Sequence, residues 1–141
     1  MKKRPVTLIL SAVMVLSLTI SANAAWSRSY VLDIPGGNAS KDTLTEYGPE
    51  SGYAVKSTDE GKCTFETFEN QAWGLFGVDG RLINSEYTPR SSWVRNMHTG
   101  SVLHAATTAV KNYKYWAELS TDLLEPSTIS VSFRFSPDYE D

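Results

Sequence analysis

The sequence has few of the residues that build most catalytic and metal centres. It contains one cysteine, Cys63, and two histidines, His98 and His104, among 141 residues. A single cysteine cannot form a disulfide within the chain, and neither a His-Glu-x-x-His nor a paired Cys-x-x-Cys spacing is present to indicate zinc. No serine lies in a Gly-x-Ser-x-Gly elbow, and no EF-hand loop occurs. We therefore predict no catalytic residues, no metal and no cofactor, and we expect that the chain is not an enzyme.

Long apolar runs are also missing, except at the start of the chain. Residues 2–4 are basic, residues 6–20 are predominantly apolar, and residues 22–24 read Ala-Asn-Ala. This order is typical of a secretory signal peptide. A helix over residues 6–20 would be about 22 Å long, which is short of the roughly 30 Å hydrocarbon core of a bilayer. We predict a signal peptide over residues 1–24, cleavage after Ala24 and no stable membrane anchor afterwards.

Positive charge is scarce in the remainder, residues 25–141. Loss of the three basic residues at 2–4 leaves 10 of the 13 Lys and Arg residues beside 16 Asp and Glu, so the net charge goes from −3 to −6. Nucleic acids and anionic membranes reward clustered positive charge, and the basic residues here are scattered. The sequence therefore argues against a nucleic-acid partner. The acidic terminal residues 138–141 are expected to form a solvated tail.

Alternation of apolar and polar residues with a period of two recurs through the rest of the chain, and long amphipathic helical patterns do not. The clearest case is residues 129–136, where Ile129, Val131, Phe133 and Phe135 alternate with serine and arginine. About eight or nine short strands, separated by Gly, Pro and Asx residues, are predicted. The expected fold is a single all-β domain over residues 25–141, a two-sheet antiparallel sandwich or jelly roll, with a partly open barrel as the alternative.

Two hairpins and a buried thiol are predicted within this domain. Asp79 and Gly80 lie between apolar runs, which suits a two-residue type I′ turn. A second turn is expected at 99–100, between strands over residues 92–98 and 101–110. That register separates the two histidines, so we do not expect them to share a metal. Cys63 alternates with Phe65 in a strand-like run and is predicted to be buried, with a Cys63-linked dimer as the minor alternative.

Aromatic residues provide the best indication of a binding site. Trp93, Tyr115 and Trp116 are the candidate ligand-binding residues, since aromatic rings supply large, rigid contact surfaces. Trp116 directly follows Tyr115, and successive side chains of a strand point to opposite faces, so the two rings lie on opposite sides of the strand. Either one of these faces is exposed as a binding platform, or the strand is central and covered on both sides. The sequence alone leaves both alternatives open.

Together these features predict a protein that acts outside the cytoplasm, secreted or periplasmic. The first functional expectation is a small binding module that recognises an extracellular or cell-envelope polysaccharide through exposed aromatic residues. The alternative is a bacteriocin-like or toxin-like secreted antagonist, which would need an exposed apolar or edge-strand surface. The expected partners are an extracellular polymer or a cell-surface component, and the chain itself is expected to be a monomer or a weak homo-oligomer.

Overall fold

The fold was analysed in a computed structural model that describes residues 26–71 and 77–141. The predicted signal peptide at residues 1–24 and Trp73, a further candidate core residue, lie outside the described residues. No helix among the described residues has the length and apolar character needed to cross a bilayer.

The regular secondary structure of the described chain is nearly all β-strand. Its elements are β1 (Tyr30–Ile34), β2 (Ser40–Asp42), α1 (Thr43–Tyr47), β3 (Tyr53–Val55), β4 (Lys62–Asn70), β5 (Val78–Ile83), β6 (Val94–Met97), β7 (Val102–Ala106), β8 (Lys114–Ser120) and β9 (Ile129–Ser136). The one short helix among the described residues follows Asp42, whose carboxylate accepts a hydrogen bond from the Thr45 backbone N–H at 2.7 Å.

Two antiparallel sheets pack face to face. Sheet A has the strand order β1-β9-β4-β7, and in sheet B β8 lies between β5, which continues to β6, and the short strands β2 and β3. The two separate sheets confirm the predicted sandwich and not the barrel alternative. Because β8 has neighbours on both sides, it is a central strand.

The core lies between the inner faces of the sheets. β9 alternates as predicted, and its inward residues include Phe133 and Phe135, both fully buried. Phe65 of β4 stacks on Phe135 with ring centroids 5.9 Å apart. Cys63 shares this core with Phe65 and is fully buried, which confirms the burial prediction, and burial raises the pKa of its thiol. In this fold the thiol is not accessible for an interchain disulfide.

The prediction of a hairpin turn at Asp79 and Gly80 is wrong. Both residues lie inside the continuous strand β5, where Gly80 pairs with Val94 on one side and Leu119 on the other. A Cβ at Gly80 would come within 2.9 Å of the Leu119 and Met97 side chains, so this glycine is needed for close packing. The Asp79 carboxylate accepts a hydrogen bond from the Asn96 N–H at 3.0 Å, at a bulge between β5 and β6.

The second predicted turn is present, but its arms do not pair as a hairpin. Gly100 has a φ of +82°, and the Ser101 N–H donates to the His98 carbonyl at 2.9 Å. β6 then belongs to sheet B and β7 to sheet A. The turn therefore carries the chain from one sheet to the other. His98 is exposed at this turn, whereas His104 lies in β7, where its ring stacks on Tyr139 with centroids 4.4 Å apart.

The expectation of a solvated C-terminal tail is wrong for Asp138. Its side chain is buried and accepts hydrogen bonds from Lys56 Nζ at 3.0 Å and from the Ser57 and Thr58 backbone N–H groups, each at 2.9 Å. The Thr64 hydroxyl donates to the Asp138 carbonyl at 2.9 Å. Lys56 is only 1% exposed. This buried ion pair, which the sequence did not suggest, attaches the end of the chain to the turn after β3.

One side chain covers the free edge of sheet A. β1 pairs only with β9 among the described strands, and the Tyr47 hydroxyl both donates to the Val31 carbonyl at 2.7 Å and accepts from the Val31 N–H at 3.1 Å. An edge strand whose backbone groups are free can pair with another chain. The Tyr47 hydroxyl thus satisfies the backbone groups that such pairing would use.

Replacing Tyr47 by phenylalanine should lower the free energy of unfolding by about 1 kcal/mol and promote self-association. The ring would keep its packing on Tyr30, 4.8 Å between centroids, while the edge loses both hydrogen bonds. Urea unfolding and light scattering at increasing protein concentration measure the two effects. Tyr113→Phe, which removes an exposed hydroxyl elsewhere, is the control, and equal scattering by both variants would contradict the edge role.

Candidate functional site

An open groove of about 870 Å³ lies where β8 begins and β5 ends. Its walls come from three loops: the end of α1 with Pro49 and Glu50, the turn after β5 at Asn84, and the segment between β7 and β8. A smaller hollow of about 290 Å³ adjoins it and shares Arg90 and Thr108 with it. The volume of the groove is in the range of ligand pockets, roughly 300–1,000 Å³.

The burial of Tyr115 and Trp116 decides between an exposed platform and a central strand covered on both sides. Their side chains are 5% and 3% exposed, so neither ring is an exposed platform, and the central strand is covered on both faces. Tyr115 packs in the main core, and Trp116 packs on the outer side of sheet B with Leu44 and Ile83. Both rings are buried because the core covers one face of β8 and the cluster with Leu44 and Ile83 covers the other.

Both residues nevertheless line the groove and hold its walls. The Tyr115 hydroxyl accepts a hydrogen bond from the Val110 N–H at 2.7 Å, which fixes the loop between β7 and β8. The Trp116 Nε1–H donates to the Gly48 carbonyl at 3.3 Å, which fixes the chain that leads into Pro49. These two side chains therefore hold two of the segments that line the groove.

Trp93, the third predicted residue, is not brought together with the other two. It does not line the groove, and its ring lies under the Arg81 guanidinium at 4.1 Å from the ring centroid. Arg81 also forms an ion pair with Glu118 at 2.5 Å. Trp93 thus stacks on an ion pair on the outer face of sheet B. That it binds a ligand stays a prediction without support from this geometry.

Tyr113 is the aromatic residue that the sequence did not single out. It lines the groove, its side chain is 64% exposed, and its backbone follows the left-handed residue Asn112, whose φ is +73°. Regular alternation would put Tyr113 on the same face as the buried Tyr115, but β8 begins only at Lys114, so Tyr113 precedes the strand. The Asn112 turn signal before the strand was the available hint that Tyr113 lies outside the regular pleat.

Hydrogen-bond donors complete the lining. The Asn84 side-chain oxygen accepts from the backbone N–H groups of Glu86 and Thr88, which leaves its amide N–H groups without a partner within the described residues. Lys114 lies over the Tyr53 ring at 4.3 Å and contacts the Glu50 carboxylate at 3.4 Å. Arg90 lines the groove beside them. The groove therefore offers aromatic surface and several donors.

The described residues contain no cluster of three or more His, Cys, Asp or Glu that could hold a metal. Glu50 is the single acidic residue among the lining residues described. The arrangement supplies stacking and hydrogen bonding to a bound molecule. Comparisons with known protein families and with curated proteins found no match to this chain.

Proposed function

We propose that this protein is a secreted binding module that holds a saccharide segment of an extracellular or cell-envelope polymer in the groove. The observation that carries the proposal is the combination of exposed Tyr113 with an open groove of about 870 Å³ lined by hydrogen-bond donors. Aromatic rings pack on the apolar faces of sugar rings, and donors bind the hydroxyl oxygens. The openness of the groove suits a chain that extends beyond the bound units.

The roles of the aromatic residues differ from those expected of a flat platform. Tyr113 provides the ring that a sugar can stack on, whereas Tyr115 and Trp116 shape the walls on either side through their bonds to Val110 and Gly48. A preformed groove binds more tightly than a loose one, because less ordering is needed when the ligand arrives. The proposal thus keeps Tyr115 and Trp116 in the site, with a positioning role.

Replacing Tyr113 by alanine should weaken polymer binding at least about tenfold and leave the stability nearly unchanged. The side chain is exposed and makes no ring contact or side-chain hydrogen bond within the described residues. Purified protein is incubated with insoluble peptidoglycan, cellulose and chitin, and tryptophan fluorescence is then titrated with soluble fragments of whichever polymer retains it. Phe68→Ala, which truncates an exposed aromatic residue of sheet A, is the matched control.

Flow-through on all three polymers, with no fluorescence change on titration with soluble neutral or acidic saccharides, would count against the proposal. Retention that Tyr113→Ala and Phe68→Ala reduce equally would place the binding surface elsewhere. Retention lost only with Tyr113→Ala is the expected result.

One observation favours the second candidate function, a secreted antagonist. Leu123 and Leu124 follow β8 in the loop to β9, and their side chains are 73% and 68% exposed. Adjacent exposed leucines offer apolar surface to a target membrane or receptor. A growth-inhibition assay with purified protein, and with the Leu123→Ser/Leu124→Ser variant, separates this function from polymer binding.

A further inference from the structure

Every arginine side chain of the described chain except that of Arg90 has an interaction partner. Arg81, Arg95 and Arg134 each form an ion pair with a carboxylate, at 2.5, 2.7 and 2.6 Å, respectively. Arg28 lies over the Tyr30 ring at 5.8 Å. The Arg90 guanidinium has no hydrogen-bond, ion-pair or ring partner within residues 26–71 and 77–141.

Arg90 is firmly held through its backbone. Its N–H donates to the Leu82 carbonyl at 2.8 Å. Its own carbonyl accepts from the Thr107 hydroxyl at 2.6 Å and from the Thr108 N–H at 2.8 Å. These bonds tie the segment after β5 to the segment after β7. The side chain therefore starts from a fixed point between the two hollows, both of which it lines.

The charge of this region is opposite to that of the protein. The whole sequence carries a net −3, yet the residues that line the two hollows include Arg90, Lys114 and one acidic residue, Glu50. Glu50 already faces Lys114, and its side chain is 84% exposed. Of the described residues, serines and threonines but no acidic residue line the smaller hollow. Where the two hollows meet, a ligand contacts the unpaired Arg90 guanidinium, next to Tyr113 of the groove and the hydroxyls of the smaller hollow.

We infer that the polymer bound in the groove is an acidic saccharide, with a carboxylate of one sugar unit bound by the Arg90 guanidinium. A guanidinium binds a carboxylate through two parallel N–H···O bonds, a geometry that neutral hydroxyls do not match. A neighbouring unit stacks on Tyr113, and the chain continues over the smaller hollow. This inference rests on the proposed function, since it names the chemical class of the ligand for the same groove.

The test compares ligands that differ only in charge. Hexamers of galacturonic acid and of mannuronic acid, and their methyl esters, are titrated against the purified protein by calorimetry, with cello- and chito-hexaose as neutral ligands. At least one acid hexamer should bind about 10- to 100-fold more tightly than its ester, the range of a charged hydrogen-bonded contact. Its affinity should fall as salt rises from 20 to roughly 300 mM, because salt screens the exposed charges.

Variants of Arg90 test whether its side chain causes the preference for the acid form. Arg90→Gln should remove the preference, so that acid and ester forms bind with equal affinity, and Arg90→Lys should restore part of it. Arg95→Gln, the same change of charge at an exposed arginine outside the groove, is the control. Equal binding of acid and ester forms, or an acid preference that Arg90→Gln leaves intact, would overturn the inference and keep the proposed function. Absence of binding to every saccharide, acidic or neutral, would overturn both.

Discussion

Replacing Lys56 by methionine should lower the free energy of unfolding by about 3–5 kcal/mol, because it leaves a buried charge without its partner. The reason is the buried ion pair with Asp138, at 3.0 Å, in which both side chains are at most 2% exposed. Methionine fills a similar volume but leaves the carboxylate buried without a countercharge. Urea unfolding followed by tryptophan fluorescence measures the loss.

Two comparisons separate this effect from a general loss of positive charge. Lys41→Met breaks the exposed pair with Glu46, at 3.3 Å, and should cost about 0–1 kcal/mol. Equal losses in both variants would contradict the role of the buried pair.

The second comparison is the dependence on pH. Burial alone would raise the pKa of the Asp138 carboxyl, but hydrogen bonds from Thr58, Ser57 and Lys56 together hold that pKa below its ordinary value of 3.8. A folded-state pKa below the unfolded value means that the contribution is present above pH 3.8 and is lost as the pH falls through the folded-state pKa. The difference in stability between wild type and Lys56→Met should therefore shrink below about pH 4. A difference that stays constant to pH 2 would contradict the assignment.

Replacing Trp116 by alanine should lower the free energy of unfolding by about 3–5 kcal/mol. The indole is buried among Leu44, Ile83 and Tyr53, with the Tyr53 and Trp116 ring centroids 6.3 Å apart. Alanine would leave a cavity between sheet B and α1 and would release the Gly48 carbonyl from its hydrogen bond. The groove wall should loosen as well, so binding and stability are expected to fall together.

Trp116→Phe is the graded variant, because it keeps an aromatic ring in the cluster and removes the indole N–H. Its expected cost is about 1–2 kcal/mol. Tyr113→Ala is the opposite case, with binding lost and stability kept. If Trp116→Ala instead abolished binding with an unchanged unfolding midpoint, the ring would be acting as an exposed binding surface, and the groove as described would be incorrect.

Local pattern predicted much of the fold. The alternation in β9, the burial of Cys63 beside Phe65 and the turn at Gly100 all follow from periodicity and turn chemistry, which act over a few residues. The Asp79-Gly80 pair shows the limit of such signals. Its composition favours a tight turn, but glycine also allows close packing, and only the neighbouring Leu119 and Met97 side chains reveal which use applies.

The candidate site was predictable only in part. The sequence selected Tyr115 and Trp116, which do line the groove, but could not tell exposed rings from buried ones, because that depends on whether β8 is central. Tyr113 was not among the predicted residues, and its exposure depends on β8 beginning only at Lys114, a boundary that the sequence does not define to within one residue. Arg90 carries no motif, and its significance arises from contacts with residues that are distant in sequence, such as Thr107.

The sequence by itself determined the all-β class of this protein and favoured a two-sheet sandwich over a partly open barrel, because alternation and turn residues are local properties that the backbone obeys wherever the strand lies. Only the tertiary structure decided which strands are central, which aromatic rings are buried, that Lys56 meets Asp138 across 82 positions of sequence, and that three loops enclose a groove. The physical reason is that burial and charge pairing depend on the order of strands in each sheet, and that order is set by contacts between segments far apart in the chain.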